Sequence, residues 1–378
     1  MKVVLATDAI HHPLTGIGRY AFELARGLKR DMRVGQCRYF SFGRFVENPE
    51  PPAPGDPGSA WRTRLAKIGP VVTAYRLLTP AFYWWRLRSV RDHLFHSPNF
   101  MLPPVQGPAV ATVHDLSTFL YPRFHPAVRV SLLAAEMPKT LARATHLITD
   151  SEFTRREVIS TFGWSEDRIT AVPLGVDARY TPMRAEETRR VLGPLGLTHG
   201  RYLLCVSTVE PRKNIDTLLD AYLALPAALR ERAPLVVAGS TGWHSDALRE
   251  RMRDAAGQGV RYLDYIPEND LPLLYAGAAT FALASFYEGF GLPVLEAMAS
   301  GVPVVASNAS SLPEVAGPDA MLLDPHDVDA WREALWKSLD DIEWRERCIA
   351  SGLALARVAT WQRCVTRTVD VYERALSG

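Results

Sequence analysis

Ser285–Pro303 reads SFYEGFGLPVLEAMASGVP, and this stretch decides the fold. Ala282, Leu283 and Ala284 just before it read as the end of a buried strand. Glu288 and Glu296 stand around a Gly-Phe-Gly turn, Gly289, Phe290 and Gly291, which opens what reads as a helix. Pro293 suits the first helical position, because its missing N–H would have no intrahelical partner there. Glycines let the backbone come close to a ligand. The free N–H groups of such a turn, at a helix N-terminus, favour a phosphate. A phosphate seat flanked by two carboxylates fits a ligand with a diphosphate and several hydroxyls, which is a nucleotide sugar. The plainer reading is a βα turn whose acids merely complement the helix N-terminus.

Outward from that stretch the chain alternates strands and helices. Val3–Thr7, Ala109–Val113 and Thr145–Thr149 read as strands in the first half, with a helix over Tyr20–Leu28. Tyr202–Val206, Leu235–Ala238, Phe281–Ala284 and Val302–Ala306 repeat the pattern, with a helix over Ile215–Leu223. Such alternation predicts an α/β protein with parallel sheets. Asn48–Ser59 is rich in Pro and Gly and reads as a mobile loop. The segment VPLGVDARYTP, residues 172–182, suits a hinge. A length of 378 residues fits two domains.

A second motif, VEPRKNIDTLLDAY from Val209, puts Arg212 and Lys213 on a loop after a strand. Open α/β sheets bind ligands outside the carboxyl ends of their strands. Two cations there can stabilise a leaving diphosphate. The alternative is a solvated basic pair at a helix start with Asn214 as cap. TGIGRYAFELARGL, from Thr15, places Gly16, Ile17 and Gly18 between a strand and a helix. His114 and Asp115 follow the strand Ala109–Val113, where a ligand would lie. A satisfied structural histidine is the alternative for His114. His96, in HSPNF, is read as a crevice-loop residue.

These motifs together resemble the retaining glycosyltransferases of family 4, which have the GT-B fold. The densest match is E-G-F-G-L-P-x-L-E-A-M-A-x-G-x-P-V around Glu288 and Glu296, with V-P-x-G-V-D in the linker. The resemblance implies two doubly wound Rossmann-like domains facing across a cleft. The first, residues 1–175, would take the acceptor, and the second, 176–360, the nucleotide sugar; the last helix, 361–378, would pack back on the first. It implies catalytic roles for Glu288, His114, Arg212 and Lys213. It assigns donor contacts to Ser207, Arg212, Lys213, Ser240, Tyr265, Ile266, Glu288, Gly289, Phe290, Gly291, Leu292 and Glu296. Gly16, Ile17, Gly18, His114 and Asp115 would meet the acceptor. The chain departs from many members at Ser207-Thr208, where they carry a further cation.

The expected activity is transfer of a mannose- or rhamnose-type hexose, from a donor such as GDP-mannose or GDP-rhamnose. The acceptor would be a saccharide or polyprenyl-diphosphate-linked saccharide, in O-antigen or lipopolysaccharide biosynthesis. A nucleotide-sugar epimerase or hydrolase on the same fold stays open, as does a non-catalytic nucleotide-sugar or glycan scaffold. No cofactor and no metal are expected, since no HExxH, Cys/His cluster or strand-end DxD is seen.

Composition bounds the rest. With 43 basic against 41 acidic residues, a dedicated nucleic-acid binder is excluded. Four separated cysteines read as free thiols of a reducing compartment. The apolar run after Lys2 is too short for a signal peptide core. No run of about 18 apolar residues reads as a membrane span. A cytoplasmic location is expected, peripheral at the inner face of the membrane. That surface contact is assigned to residues 58–91, which hold no acid and interleave arginines with aromatic rings. Ordinary core-packed helices with solvated basic faces remain the alternative there.

Overall fold

The computed structural model describes residues 1–11, 14–50 and 81–377. Most of the Asn48–Ser59 loop and residues 58–80 of the basic aromatic stretch therefore lie outside the described residues. Thirteen strands are described, in two sheets. The first holds β1 (Lys2–Ala6), β2 (Gln36–Ser41), β3 (Arg44–Val46), β4 (Leu94–Ser97), β5 (Ala109–Val113), β6 (His146–Thr149) and β7 (Ile169–Ala171), in the order β3-β2-β1-β4-β5-β6-β7. The second holds β8 (Leu203–Val206), β9 (Leu235–Ala238), β10 (Val260–Tyr262), β11 (Thr280–Leu283), β12 (Val304–Ser307) and β13 (Met321–Leu323), in the order β10-β9-β8-β11-β12-β13.

Every pairing is parallel except β2 with β3. Parallel strands are covered by helices on both faces, so they read as continuous apolar runs. β5, AVATV, is buried at every position, and so is β9, LVVA. The architecture is therefore two parallel-sheet α/β domains, as expected. Strand order reverses between β1 and β4 in one sheet and between β8 and β11 in the other. A ligand crevice opens at such switch points, beyond the carboxyl ends of the strands.

The chain crosses between the sheets twice, and the crossings touch. Val176 donates its N–H to Ala359 O at 2.9 Å and pairs with Thr360 as an isolated bridge. Gly175 is needed there, since a Cβ would lie 2.0 Å from Trp361 N. The last helix, Trp361–Ser377, packs on the helix Gly16–Leu28 and on β5 and β6.

Two local expectations shift. The helix expected from Tyr20 begins at Gly16, because Thr15 caps it by accepting from Gly18 N at 3.2 Å. Gly16, Ile17 and Gly18 thus form a first helical turn rather than a loop. Pro293 is the second helical residue, since Gly291 is the N-cap.

Candidate functional site

The expected donor residues converge on one edge. Ser207 follows β8, Ser240 follows β9, Tyr265 and Ile266 follow β10, and Glu288 follows β11. Loop crossings hold them close. A Cβ on Gly239 would sit 2.0 Å from Ser207 O, and Val209 donates to Ser240 O at 3.0 Å.

The Gly-Phe-Gly turn is fixed through its carbonyls. Ser311 Oγ donates to Glu288 O at 2.9 Å and to Phe290 O at 2.8 Å. Ser151 and Thr154, from the first domain, donate to Gly289 O at 2.7 and 3.2 Å. A trans peptide points C=O and the next N–H opposite ways. The N–H groups of Gly289 and Gly291 therefore aim away from Ser311, and that of Phe290 away from Ser151 and Thr154, just before the helix Leu292–Ala299. Gly291 holds φ at +111°, a value only glycine adopts without strain.

Glu288 is buried and fully engaged. Lys213 Nζ reaches its two carboxylate oxygens at 2.7 and 2.9 Å, and Ser285 Oγ donates to it at 2.7 Å. Burial pushes the Glu288 carboxyl up, yet Lys213 and Arg212 win and hold it below its ordinary value. Arg212 donates to Glu210 at 2.7 Å and to Tyr287 O at 2.6 Å. The two cations expected to face a diphosphate are thus each paired with a carboxylate of the second domain. Sequence reasoning missed that pairing, although Glu210 stands in the same VEPRKN motif.

Glu296 is different. Burial pushes its carboxyl up to about 7, against the pull of Tyr275, Tyr180 and Arg19. Arg19 reaches across from the helix Gly16–Leu28 to Glu268 at 2.7 Å and to Asp177 at 3.6 Å. Asp177, within the segment expected as a hinge, is clasped by Arg179.

On the first domain, His114 is buried. Its Nδ1 lies 2.7 Å from Asp150 Oδ2 and its Nε2 lies 3.1 Å from Pro98 O. Asp115 accepts from Ser117 N and Oγ at 2.9 and 2.7 Å. Burial would raise the Asp115 carboxyl, but Arg212 and Ser117 draw it down. His96 corrects its expectation: it lies inside β4, not in a crevice loop. It is bonded to Tyr372 Oη at 2.6 Å and Thr112 Oγ1 at 2.9 Å, and burial lowers it to about 3. It is a neutral core residue.

The domains meet directly over this site. A Cβ on Gly289 would lie 1.9 Å from His114 O. Leu116 N donates to Tyr287 Oη at 3.0 Å, and Tyr287 donates in turn to Glu157. Phe124 stacks on Phe286 with centroids 5.8 Å apart and planes 6° from parallel. Trp243 Nε1 donates to Phe124 O at 2.5 Å. None of Asp150, Glu157, Phe124, Trp243 or Tyr287 was singled out from the sequence, because their partners lie far away in the chain.

Residues 14–180 match the family described as Glycosyltransferase Family 4, and residues 195–354 match Glycosyl transferases group 1. The chain is 41% identical over 379 residues to the O-antigen chain mannosyltransferase B of Escherichia coli, covering 99% of this chain and all of that one. It is 30% identical over 243 residues to the serotype-specific mannosyltransferase WbdA of Escherichia coli, covering 62% of this chain and 29% of that one. In fold it is similar to Anabaena HepE in complex with UDP and glucose, with a TM-score of 0.71 at 16% identity, over 99% of this chain and all of that one. WaaG, a glycosyltransferase involved in lipopolysaccharide biosynthesis, superposes with a TM-score of 0.69 at 18% identity, over 98% of this chain and 99% of that one.

Proposed function

The chain belongs to glycosyltransferase family 4 and is a hexosyltransferase of polysaccharide biosynthesis; on that premise we propose that it moves mannose from GDP-mannose to a saccharide acceptor with retention of configuration. The observation that carries the reading is the convergence at the β8/β11 switch point of the Gly-Phe-Gly turn, Lys213, Arg212 and Glu288. Mannose is favoured because the full-length relative bears the name of a mannosyltransferase. A rhamnose-type donor such as GDP-rhamnose is the second choice, and a polyprenyl-diphosphate-linked saccharide is the acceptor favoured among saccharides.

The donor diphosphate would sit over N–H groups of this turn and beside Lys213. Entry of the diphosphate offers Lys213 and Arg212 a second anion, and Glu288 then turns to hydroxyls of the sugar. Tyr265 and Ile266 would hold the base through their main chain, Glu296 the ribose. Departure of the nucleoside diphosphate leaves negative charge where these cations stand, and this fixed charge lowers the barrier. Retention follows a front-face course in which the leaving diphosphate takes the acceptor's proton. An inverting course needs a base opposite the leaving group. His114, given a catalytic role by the resemblance, has both ring nitrogens occupied. No cofactor or metal enters this scheme.

The test is a transfer assay with GDP-mannose and a mannose-terminated saccharide, read by NMR of the new anomeric centre. An α-linked product, formed equally in chelator, is expected. A β-linked product overturns the mechanism, and hydrolysis without transfer overturns the transferase reading. In a thermal-shift panel GDP should exceed UDP, ADP and dTDP. A ligand at about 100 times its Kd adds about 2.7 kcal/mol to stability.

A further inference from the structure

His114 and Asp150 are the first residues beyond β5 and β6, and the last residues of those strands, Val113 and Thr149, are paired in register. Adjacent strand ends in register bring the two side chains together without any strain. Asp150 Oδ2 lies 2.7 Å from His114 Nδ1. The other ring nitrogen, Nε2, faces the Pro98 carbonyl at 3.1 Å. A carbonyl oxygen can only accept, so Nε2 must carry a proton. With the Asp150 carboxylate ionised, it too can only accept, and Nδ1 then carries a proton as well. A ring protonated on both sides has no lone pair left to act as a base.

We propose that Asp150 is a positioning residue that keeps His114 doubly protonated and fixes the backbone on which the donor turn docks. The ring's two bonds anchor the end of β5. His114 O lies directly beyond them, and Gly289 packs on it so closely that a Cβ would sit 1.9 Å away. Asp150 thus acts on the donor turn only through His114. This rests on the transferase reading only for its kinetic consequence.

The groups facing His114 agree with the assignment. Asp115 follows it in the chain and favours the charged ring. His96, from β4, is neutral and bonded elsewhere. Tyr20, from the helix Gly16–Leu28, meets the ring edge-on at 5.1 Å and is held un-ionised by burial. Asp150 in turn has Tyr20 and Cys364 near it, both kept neutral by burial. Burial opposes the charge on His114, but Asp150 prevails and its pKa lies above the ordinary value. The same burial raises the Asp150 carboxyl against the pull of His114.

The experiment is imidazole NMR on the full chain, needing no substrate, with His114 identified by loss of its signals in a His114→Gln variant. Two protonated ring nitrogens at pH 7.5 are expected; a ring with a bare nitrogen at that pH overturns the proposal. Asp150→Asn supplies the kinetic half. Its kcat should fall by about 10- to 100-fold, the scale of a misplaced reacting centre. Nucleoside diphosphate affinity should stay unchanged, and activity should acquire a new loss as pH rises through the lowered His114 value. An Asp150→Asn enzyme with wild-type kcat and pH profile overturns the positioning role. If that variant does not fold, the spectrum of the unaltered chain decides alone. A chain with the doubly protonated ring and no transfer to any saccharide would sink the transferase reading while leaving the ring assignment standing.

Discussion

At the scale of the residue, the two glutamates of the motif look alike in sequence and differ in state. Glu288 has Lys213 and Ser285 at 2.7 Å and is held ionised. Glu296 has tyrosine hydroxyls and a more distant Arg19, and burial raises it to about 7 from 4.5. The folded chain therefore binds the Glu296 proton more tightly than the unfolded chain does. Its contribution to stability is present at low pH and is lost as pH rises from 4.5 toward 7. Ribose hydroxyls donating to Glu296 would favour the charged form. Nucleotide binding should thus release a proton, and affinity should be about tenfold weaker at pH 6 than at pH 8, since one pKa unit is a factor of ten. Glu296→Gln should flatten that dependence. Calorimetry in buffers of different ionisation enthalpy measures it, and an equal affinity at both pH values in the native enzyme would count against the ribose role.

At the scale of the element, the βα turn after β11 answers to both domains. Its carbonyls are held by Ser311 from one side and by Ser151 and Thr154 from the other. A methyl group on Gly289 meets His114 O, which is backbone and cannot swing aside. Gly289→Ala should therefore keep the second domain folded and its nucleoside diphosphate affinity intact. Closure should fail, with a larger radius of gyration in solution scattering. Turnover should drop by about 10²-fold, because the reacting groups are no longer aligned. Wild-type scattering together with wild-type turnover in this variant would show that the close approach is not needed. The strands were legible because parallel, doubly covered strands are plain apolar runs; β5 and β9 match their expected bounds residue for residue. The β2–β3 hairpin was not singled out, because QCRYFS and RFV mix charge with aromatics at a sheet edge.

At the scale of the whole molecule, the described part of the basic aromatic stretch presents Phe82, Trp84 and Trp85 at 46%, 44% and 56% exposure. Arg88 and Arg91 stand exposed beside them, and Arg88 lies over the Trp84 ring at 6.0 Å. No helix among the described residues is long and apolar enough to cross a membrane. We propose that this face rests on an anionic lipid surface, where aromatic rings enter the interface and arginines meet headgroups. Trp84→Ser with Trp85→Ser should lower co-sedimentation with phosphatidylglycerol vesicles by about tenfold and leave transfer to a water-soluble saccharide unchanged. Equal sedimentation of variant and native chains would refute the contact. The sequence alone determined the two α/β halves, the linker between them and the family, because these live in short local patterns: apolar runs, turn glycines and a motif of contiguous residues. It also picked out Glu288, Lys213 and His114 as residues of interest. Only the tertiary structure decided what each of them faces. The partners of His114 are Asp150 and Pro98, those of Glu288 include Lys213 and Ser285, and Gly289 packs on a carbonyl of the other domain. Charge state and domain docking depend on such neighbours, which strand register and the closed cleft bring together from distant parts of the chain.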